Sequence, residues 1–550
     1  MNSFRTLLAF ILILIIAAFF RLHALDTTPP GLYPDEAMNG NNVLEALESP
    51  PPEGGFRVFY PENNGREGLF INIQGLFLKT LIPLAGGNPE PWMLRLPSAL
   101  FGIITVAGVF FLARELFKKD SVALLSAFLL AVSFWHINFS RIGFRAIMAP
   151  FFLVWGIYLL LLTFRKLRER SYLGEKKSKY QIPNTKQIPS PDDQNNGVSK
   201  FGNWKLFENW KLGFGISILA FIAGMVYGLG MHSYIAYRAT PLIIAVILFL
   251  FTFKIGWKAV GKITIWFALG AIIVSLPLAA YFIHNPQDFF GRTSEVSVFS
   301  SSSPLGGLGL NIAKTIGMLF FFGDSNWRHN LSGAPELFWP VAIVFLLGAV
   351  VGVWKLFKKP DTEHDAPNSE DTRPAFIILI VYFFTALLPV VFSNEGIPHA
   401  LRSILMIPSV FIIAGFGGIT LYEWLENRLQ HSLWRRILPL TACLFFLFVA
   451  TTTYQNYFIT WGENSNTSGA FSEEYVTIGR KLNAIPENIQ KYVIVEAGGV
   501  LARGIPMPSQ TVMFMTDTFT KWGQEKKNIH YVLPKDAASI PQGGYVVTIK

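Results

Sequence analysis

The chain has 550 residues, of which 51% are hydrophobic and 15% aromatic but only 15% charged, against about 25% charged in soluble domains. A mean hydropathy of +0.39 excludes a soluble globular class. The net charge of +10 fits Lys and Arg collected on membrane loops and gives no ground for nucleic-acid binding.

The first apolar run, 7–20, follows Arg5 as a signal peptide would, but it is long. It ends in Arg21-Leu-His-Ala with no small-residue cleavage site, so it reads as an uncleaved first span. Next comes Gly31-Leu-Tyr-Pro-Asp-Glu-Ala-Met38, which puts Asp35 and Glu36 just past a membrane helix. A carboxylate pair there is costly to bury and is a functional candidate. Asp35 equally suits the N-cap of a helix over Glu36–Leu47. Tyr60-Pro-Glu-Asn-Asn-Gly-Arg-Glu67 reads as a solvated loop. The stretch Leu69–Leu84, interrupted by Asn72, Gln74 and Lys79, reads as an amphipathic helix on the outer surface.

Further apolar runs lie at about 96–113, 121–138, 147–164, 212–231, 240–254, 262–283, 337–354, 374–392, 403–422 and 435–453, each near the length that crosses a bilayer. With the first, they predict a polytopic α-helical membrane protein of about eleven transmembrane helices. Basic clusters at Arg114/Lys118/Lys119, Arg165–Arg170, Lys254/Lys258/Lys262, Lys355/Lys358/Lys359 and Arg428/Arg435/Arg436 all fall on one side of such a map. That side is the cytoplasm. The segments 171–210 and 357–373 then read as cytoplasmic linkers. The polar segments 21–95, 139–146, 231–239, 284–336 and 393–402 gather on the outer face.

Several of these outer segments carry chemistry. Arg141 and Arg145 stand in Ser140-Arg-Ile-Gly-Phe-Arg145, and arginine suits phosphate because its planar fork donates two hydrogen bonds. Tyr234 and Arg238 are four apart and share a face if the segment is helical. Gly323-Asp-Ser-Asn-Trp-Arg-His329 supplies Asp324, Arg328 and His329, and Asn394-Glu-Gly-Ile-Pro-His-Ala-Leu-Arg402 supplies Glu395, His399 and Arg402. The Gly-rich Pro304–Gly309 piece reads as a mobile cover. After Thr453 no spanning run remains. A helix over Ser472–Leu482 and strands over Tyr492–Glu496, Thr511–Met515, His530–Leu533 and Tyr545–Ile549 predict a small outer α/β domain. The division is thus 1–453, a membrane domain with outer loops 21–95 and 284–336, and 454–550, an extracytoplasmic α/β domain.

No P-loop, serine-hydrolase elbow or HExxH site is present. The lone cysteine, Cys443, rules out an intrachain disulfide and a CxxC metal site. A divalent metal on carboxylates and histidine stays open; no residues are assigned as its ligands and no other cofactor is called for. Acids with arginines on the outer face suit a base that takes a proton from an acceptor and cations that hold a phosphate leaving group.

The order of motifs resembles the type C integral-membrane glycosyltransferases, in the branch of the protein O-mannosyltransferases and aminoarabinose transferases. The matching pieces are Tyr33-Pro-Asp-Glu-Ala, Arg95-Leu-Pro-Ser-Ala, Ser140-Arg-Ile-Gly-Phe-Arg, Tyr234 with Arg238, Arg328-His-Asn and Pro398-His-Ala-Leu-Arg402, over about 1–460. Where the aminoarabinose transferases carry a Lys-Pro-Pro-Leu-like stretch, this chain has Asn64-Gly-Arg-Glu-Gly-Leu. The resemblance implies a GT-C-like fold in the cell membrane and a polyprenyl-phosphate sugar as donor. It implies transfer with inversion to an extracytoplasmic lipid, glycan or protein. Asp35 maps onto the acceptor-activating acid, with Glu36 beside it. The donor set expected is Arg141, Arg145, Tyr234, Arg238, Arg328, His329, His399 and Arg402. The rival of another class is a transporter or flippase of lipid-linked sugars, which needs a polar path through the membrane.

Overall fold

The computed structural model describes residues 3–49, 54–62, 64–179, 200–289, 304–358, 371–393, 396–429 and 432–550. Among them, ten helices are long and apolar enough to cross a membrane. The pair Asp120–Ala131 and Phe134–Arg141, bent by 58°, makes eleven when taken as one span. Helices are what hydrocarbon demands, since each backbone N–H and C=O must find its partner within the segment. Between the two halves of the bent span, the Ser133 hydroxyl accepts the His136 amide at 3.3 Å and so caps the second half.

Two neighbouring spans show how close the helices run. Gly348 and Gly417 lie where Trp339–Phe357 crosses Ile407–Arg428. A Cβ on Gly417 would come within 1.9 Å of the Val344 carbonyl, so only small residues admit this approach. The basic clusters at 114–119 and 165–170 meet at one end of the bundle. Arg114 pairs with Asp120 at 2.7 Å, Lys119 with Glu423 at 3.0 Å and Arg165 with Glu115 at 3.2 Å. The motif-bearing loops gather at the other end. There Trp135 Nε1 donates to the Ala400 carbonyl and Trp461 Nε1 to the Trp327 carbonyl.

Gly68–Leu84 is a helix of 17 residues, with Phe70, Ile71, Gln74 and Leu78 buried and Leu76 and Leu84 exposed. The piece expected as a mobile cover is instead the start of a helix, Pro304–Phe320. Asn311 ties that helix to the end of the span Arg373–Val391, donating to the carbonyls of Val391 at 3.0 Å and Ser393 at 2.7 Å. Glycine lowers helix propensity by only about 1 kcal/mol per residue, and tertiary contacts outweigh that here. Residues 180–199, 290–303 and 359–370, which include half of the expected linker 171–210 and most of the linker 357–373, lie outside the described residues.

The last membrane helix continues as a π-helix, Gln455–Trp461. Beyond it, a three-stranded parallel sheet has Lys491–Val495 at its centre, flanked by Ile529–Val532 and Tyr545–Ile549. The expected strand Thr511–Met515 is a helix, Ser509–Thr516, buried along its whole length. A short apolar run buried on all sides carries no period that separates strand from helix. This helix packs between Glu473–Ala484 and the first-loop helix Pro34–Glu48. The Thr511 hydroxyl donates to the Leu32 carbonyl at 2.9 Å, and Asn41 donates to Gln510 Oε1 at 2.9 Å. Leu32, Val43, Leu94, Val476, Phe514 and Met515 share one hydrophobic cluster. The first-loop helix is thereby held between the bundle and the C-terminal region.

Candidate active site

The helix Pro34–Glu48 begins on Tyr33, whose backbone is extended (φ −66°, ψ 140°). Pro34 at its first position has a φ already suited to a helix. Asp35 and Glu36 occupy the first turn, where the helix dipole favours negative charge. Asp35 is therefore not the N-cap, and no side chain caps this helix. The Asp35 carboxylate, 29% exposed, pairs with the Arg66 guanidinium at 2.9 Å.

Its neighbour has a different environment. Glu36 is fully buried and pairs with fully buried Arg95 at 3.2 Å. The same Glu36 oxygen accepts the Gly143 amide at 2.6 Å. A Cβ at Gly143 would stand 3.0 Å from that oxygen, so the glycine allows the approach. Arg95 also donates to the carbonyls of Pro29 at 2.6 Å and Gly31 at 2.8 Å. Glu36 thus holds the loop onto the bundle. Arg141 does similar work. It is fully buried and donates to the carbonyls of Phe20, Ala24 and Thr28, beneath the rings of Tyr457 and Phe458. Its donors are turned to the end of the first span and the turn after it, not toward an open site.

The stretch expected as a solvated loop is a β-hairpin, Phe59–Tyr60 with Arg66–Glu67, and Tyr60, Arg66 and Glu67 are buried. Pairing overrides the polar composition, because both charged side chains find partners. While Arg66 meets Asp35, Glu67 meets Arg145 at 2.7 Å and Arg238 at 4.0 Å. Arg238 also donates to the Phe289 carbonyl and lies 4.0 Å over the Phe289 ring. Tyr234 has an extended backbone ahead of the 3₁₀ turn Ile235–Ala239, so it shares no helix face with Arg238. Its ring packs against the main core.

Two loops supply the remainder. In the first, the Asp324 carboxylate is buried. It accepts the amides of Asn326 (2.8 Å) and Ala400 (2.9 Å), and His329 Nδ1 lies 3.0 Å away. Burial alone would raise its pKa; the bonds from His329 and the two amides hold it below the usual value. From the second loop, His399 Nδ1 comes within 3.8 Å of the same Asp324 oxygen. Burial, opposed by Asp324, keeps the His329 imidazole below its ordinary pKa, and burial with His329 and Arg402 nearby pushes His399 down to about 3. Arg402 bonds the Ser393 hydroxyl. Glu395 lies outside the described residues. Arg328 lies 4.0 Å over the Tyr33 ring. The Tyr33 phenol is raised by burial and by Asp35, while Arg328, hydrogen-bonded to it, and Arg66 act against that.

Tyr33 therefore joins the two halves. On one side Arg402, His399, Asp324, His329 and Arg328 lead to Tyr33; on the other, Asp35 and Arg66 act electrostatically on the same phenol, and Glu67, next to Arg66 in the hairpin, holds Arg145 and Arg238. The structure brings Arg328, His329, His399 and Arg402 together about Asp324, and sets Asp35, Arg145 and Arg238 on the hairpin charges Arg66 and Glu67. It sets Glu36 and Arg141 behind them as buried supports and Tyr234 against the core. Arg66 and Glu67 are the participants that reading the loop as solvated passes over. Their signal in the sequence is two charges directly ahead of an apolar helix.

Residues 75–174 match the family described as dolichyl-phosphate-mannose-protein mannosyltransferase. No curated protein matches the chain in sequence. Among solved structures, the chain is similar to the Archaeoglobus fulgidus oligosaccharyltransferase tethered with an acceptor peptide. Identity is 13% and the TM-score 0.50, over 98% of this chain and 65% of that one. The chain thus spans less than two thirds of that enzyme's length. It is also similar to ArnT from Cupriavidus metallidurans in the apo state, with 11% identity and a TM-score of 0.50, over 94% of this chain and 85% of that one. In fold, then, the chain is a multi-pass membrane protein built like these two enzymes, and its residues 75–174 resemble the protein mannosyltransferase family.

Proposed function

We propose that the protein transfers a sugar from a polyprenyl-phosphate donor to an acceptor hydroxyl or amine, with inversion, at the outer face of the cell membrane. The carrying observation is that a partly exposed carboxylate, Asp35, and the Arg328 guanidinium both act on the phenol of Tyr33, which Arg328 covers at 4.0 Å. Asp35 takes the acceptor proton as the nucleophile attacks the anomeric carbon. The bond from that carbon to the phosphate oxygen breaks, and the phosphate leaves with the electron pair. Arg328 and Arg402 meet the developing charge, where donors in a water-poor site act most strongly. Glu67 aims Arg145 and Arg238 along the same surface for the rest of the donor or for the acceptor. The basic end of the bundle faces the cytoplasm, so the site and residues 454–550 face outward.

The test is to incubate membranes holding the full chain with radiolabelled polyprenyl-phosphate mannose and, separately, polyprenyl-phosphate aminoarabinose. Label that becomes covalently attached to lipid, glycan or protein supports the proposal and names the acceptor class. Label that crosses the bilayer still on its carrier makes the protein a transporter.

A further inference from the structure

We propose that Asp324, His329 and His399 form a binding site for a divalent transition-metal ion. One oxygen and two ring nitrogens from these residues lie within 4.8 Å of one another. Both Nδ1 atoms are turned to the same carboxylate oxygen, at 3.0 and 3.8 Å. The site is supported as metal sites are. Amides of Asn326 and Ala400 fix the carboxylate, and the Asp324 amide in turn donates to Glu336 Oε1 at 3.4 Å. Glu336 is buried, and its second oxygen has no hydrogen-bond partner among the described residues.

Two imidazoles with one carboxylate select zinc, manganese, iron, cobalt or nickel over magnesium or calcium. Three protein ligands leave a position open for a further one. Binding needs only local change. The His329 proton moves to Nε2, and His399 gives up the long 3.4 Å bond from the Arg402 amide. Arg328 and Arg402 stand close enough to act on both histidines. They disfavour a bare cation, and a phosphate dianion in the open position offsets them. Metal and phosphate should therefore bind with positive coupling, each tightening the other by the same factor. The ion's place beside a donor phosphate rests on the transferase reading; its binding does not.

The experiment uses the full chain in detergent, with Cys443→Ser and no histidine tag. The protein is stripped with chelator and dialysed against micromolar zinc, with and without inorganic phosphate, and bound metal is counted by mass spectrometry. One ion per chain is expected, with affinity rising several-fold in phosphate and falling at least about tenfold in His399→Gln and in Asp324→Asn. Cobalt(II) reads the site without a mutation: visible bands of a four- or five-coordinate ion are expected. A purely six-coordinate aquo spectrum, or His399→Gln holding as much zinc as the parent, overturns the site. An affinity blind to phosphate overturns the coupling. Metal bound without sugar transfer keeps the site and removes the transferase; transfer without metal removes the site alone.

Discussion

Asp35 and Glu36 are adjacent in sequence and alike in chemistry, yet their surroundings separate them. Asp35 stands at the rim with Arg66; Glu36 is sealed under the loop with Arg95 and Gly143. Asp35→Asn keeps a hydrogen-bonding partner of the same size for the buried Arg66. Expression should hold while sugar transfer falls by roughly 10²–10⁴-fold, the share of a general base. Full transfer by Asp35→Asn would leave the base unassigned. Glu36→Gln should act the other way. It strands the buried Arg95 charge, a change that costs about 3–5 kcal/mol, so thermal unfolding in detergent should come markedly earlier. A Glu36→Gln protein with parental stability and lost transfer would instead make Glu36 catalytic. The pair is legible in the sequence as a functional motif, and the family resemblance points to Asp35 within it; the burial of Glu36 is not legible, because it is set by Gly143 and Arg95, distant in the chain.

At the scale of the element, the helix Pro34–Glu48 does most to position the site. Its first turn meets the hairpin and the bundle, and its body meets the helix Ser509–Thr516. The sequence shows its start, through Pro34 and two acids, but not the brace from residues far along the chain. The brace connects to the parallel sheet through Tyr531. Tyr531 is half-buried, with its hydroxyl 2.7 Å from the Thr518 hydroxyl and 3.4 Å from that of Thr516. Burial pushes this phenol up to about 12. A raised folded pKa means the unfolded chain loses its proton first. The stability from Tyr531 is present below about pH 10, the unfolded value, and is lost as pH rises toward 12. Thermal melts of the C-terminal region should show this alkaline loss in the parent and less of it in Tyr531→Phe. Identical pH profiles would place the hydroxyl in water.

Over the whole molecule, the alternation of basic and motif-bearing ends makes a topology that thiol labelling can read. In a Cys443→Ser background, Ser539→Cys should react with an impermeant reagent in intact cells and Ser190→Cys only after lysis. Labelling of Ser190→Cys from outside would invert the map. Membrane class and the approximate number of helices were legible from the chain alone. Each span is a local property of about twenty apolar residues, and hydrocarbon permits such a run little but a helix. The tertiary structure decided which polar residues face one another. It made a hairpin of Tyr60–Glu67, turned Arg141 to backbone carbonyls, made a helix of Thr511–Met515 and brought His399 to Asp324. Those outcomes depend on ion pairs and packing between residues tens to hundreds of positions apart. A buried charge is tolerated only where such a partner arrives, and no local pattern records the arrival.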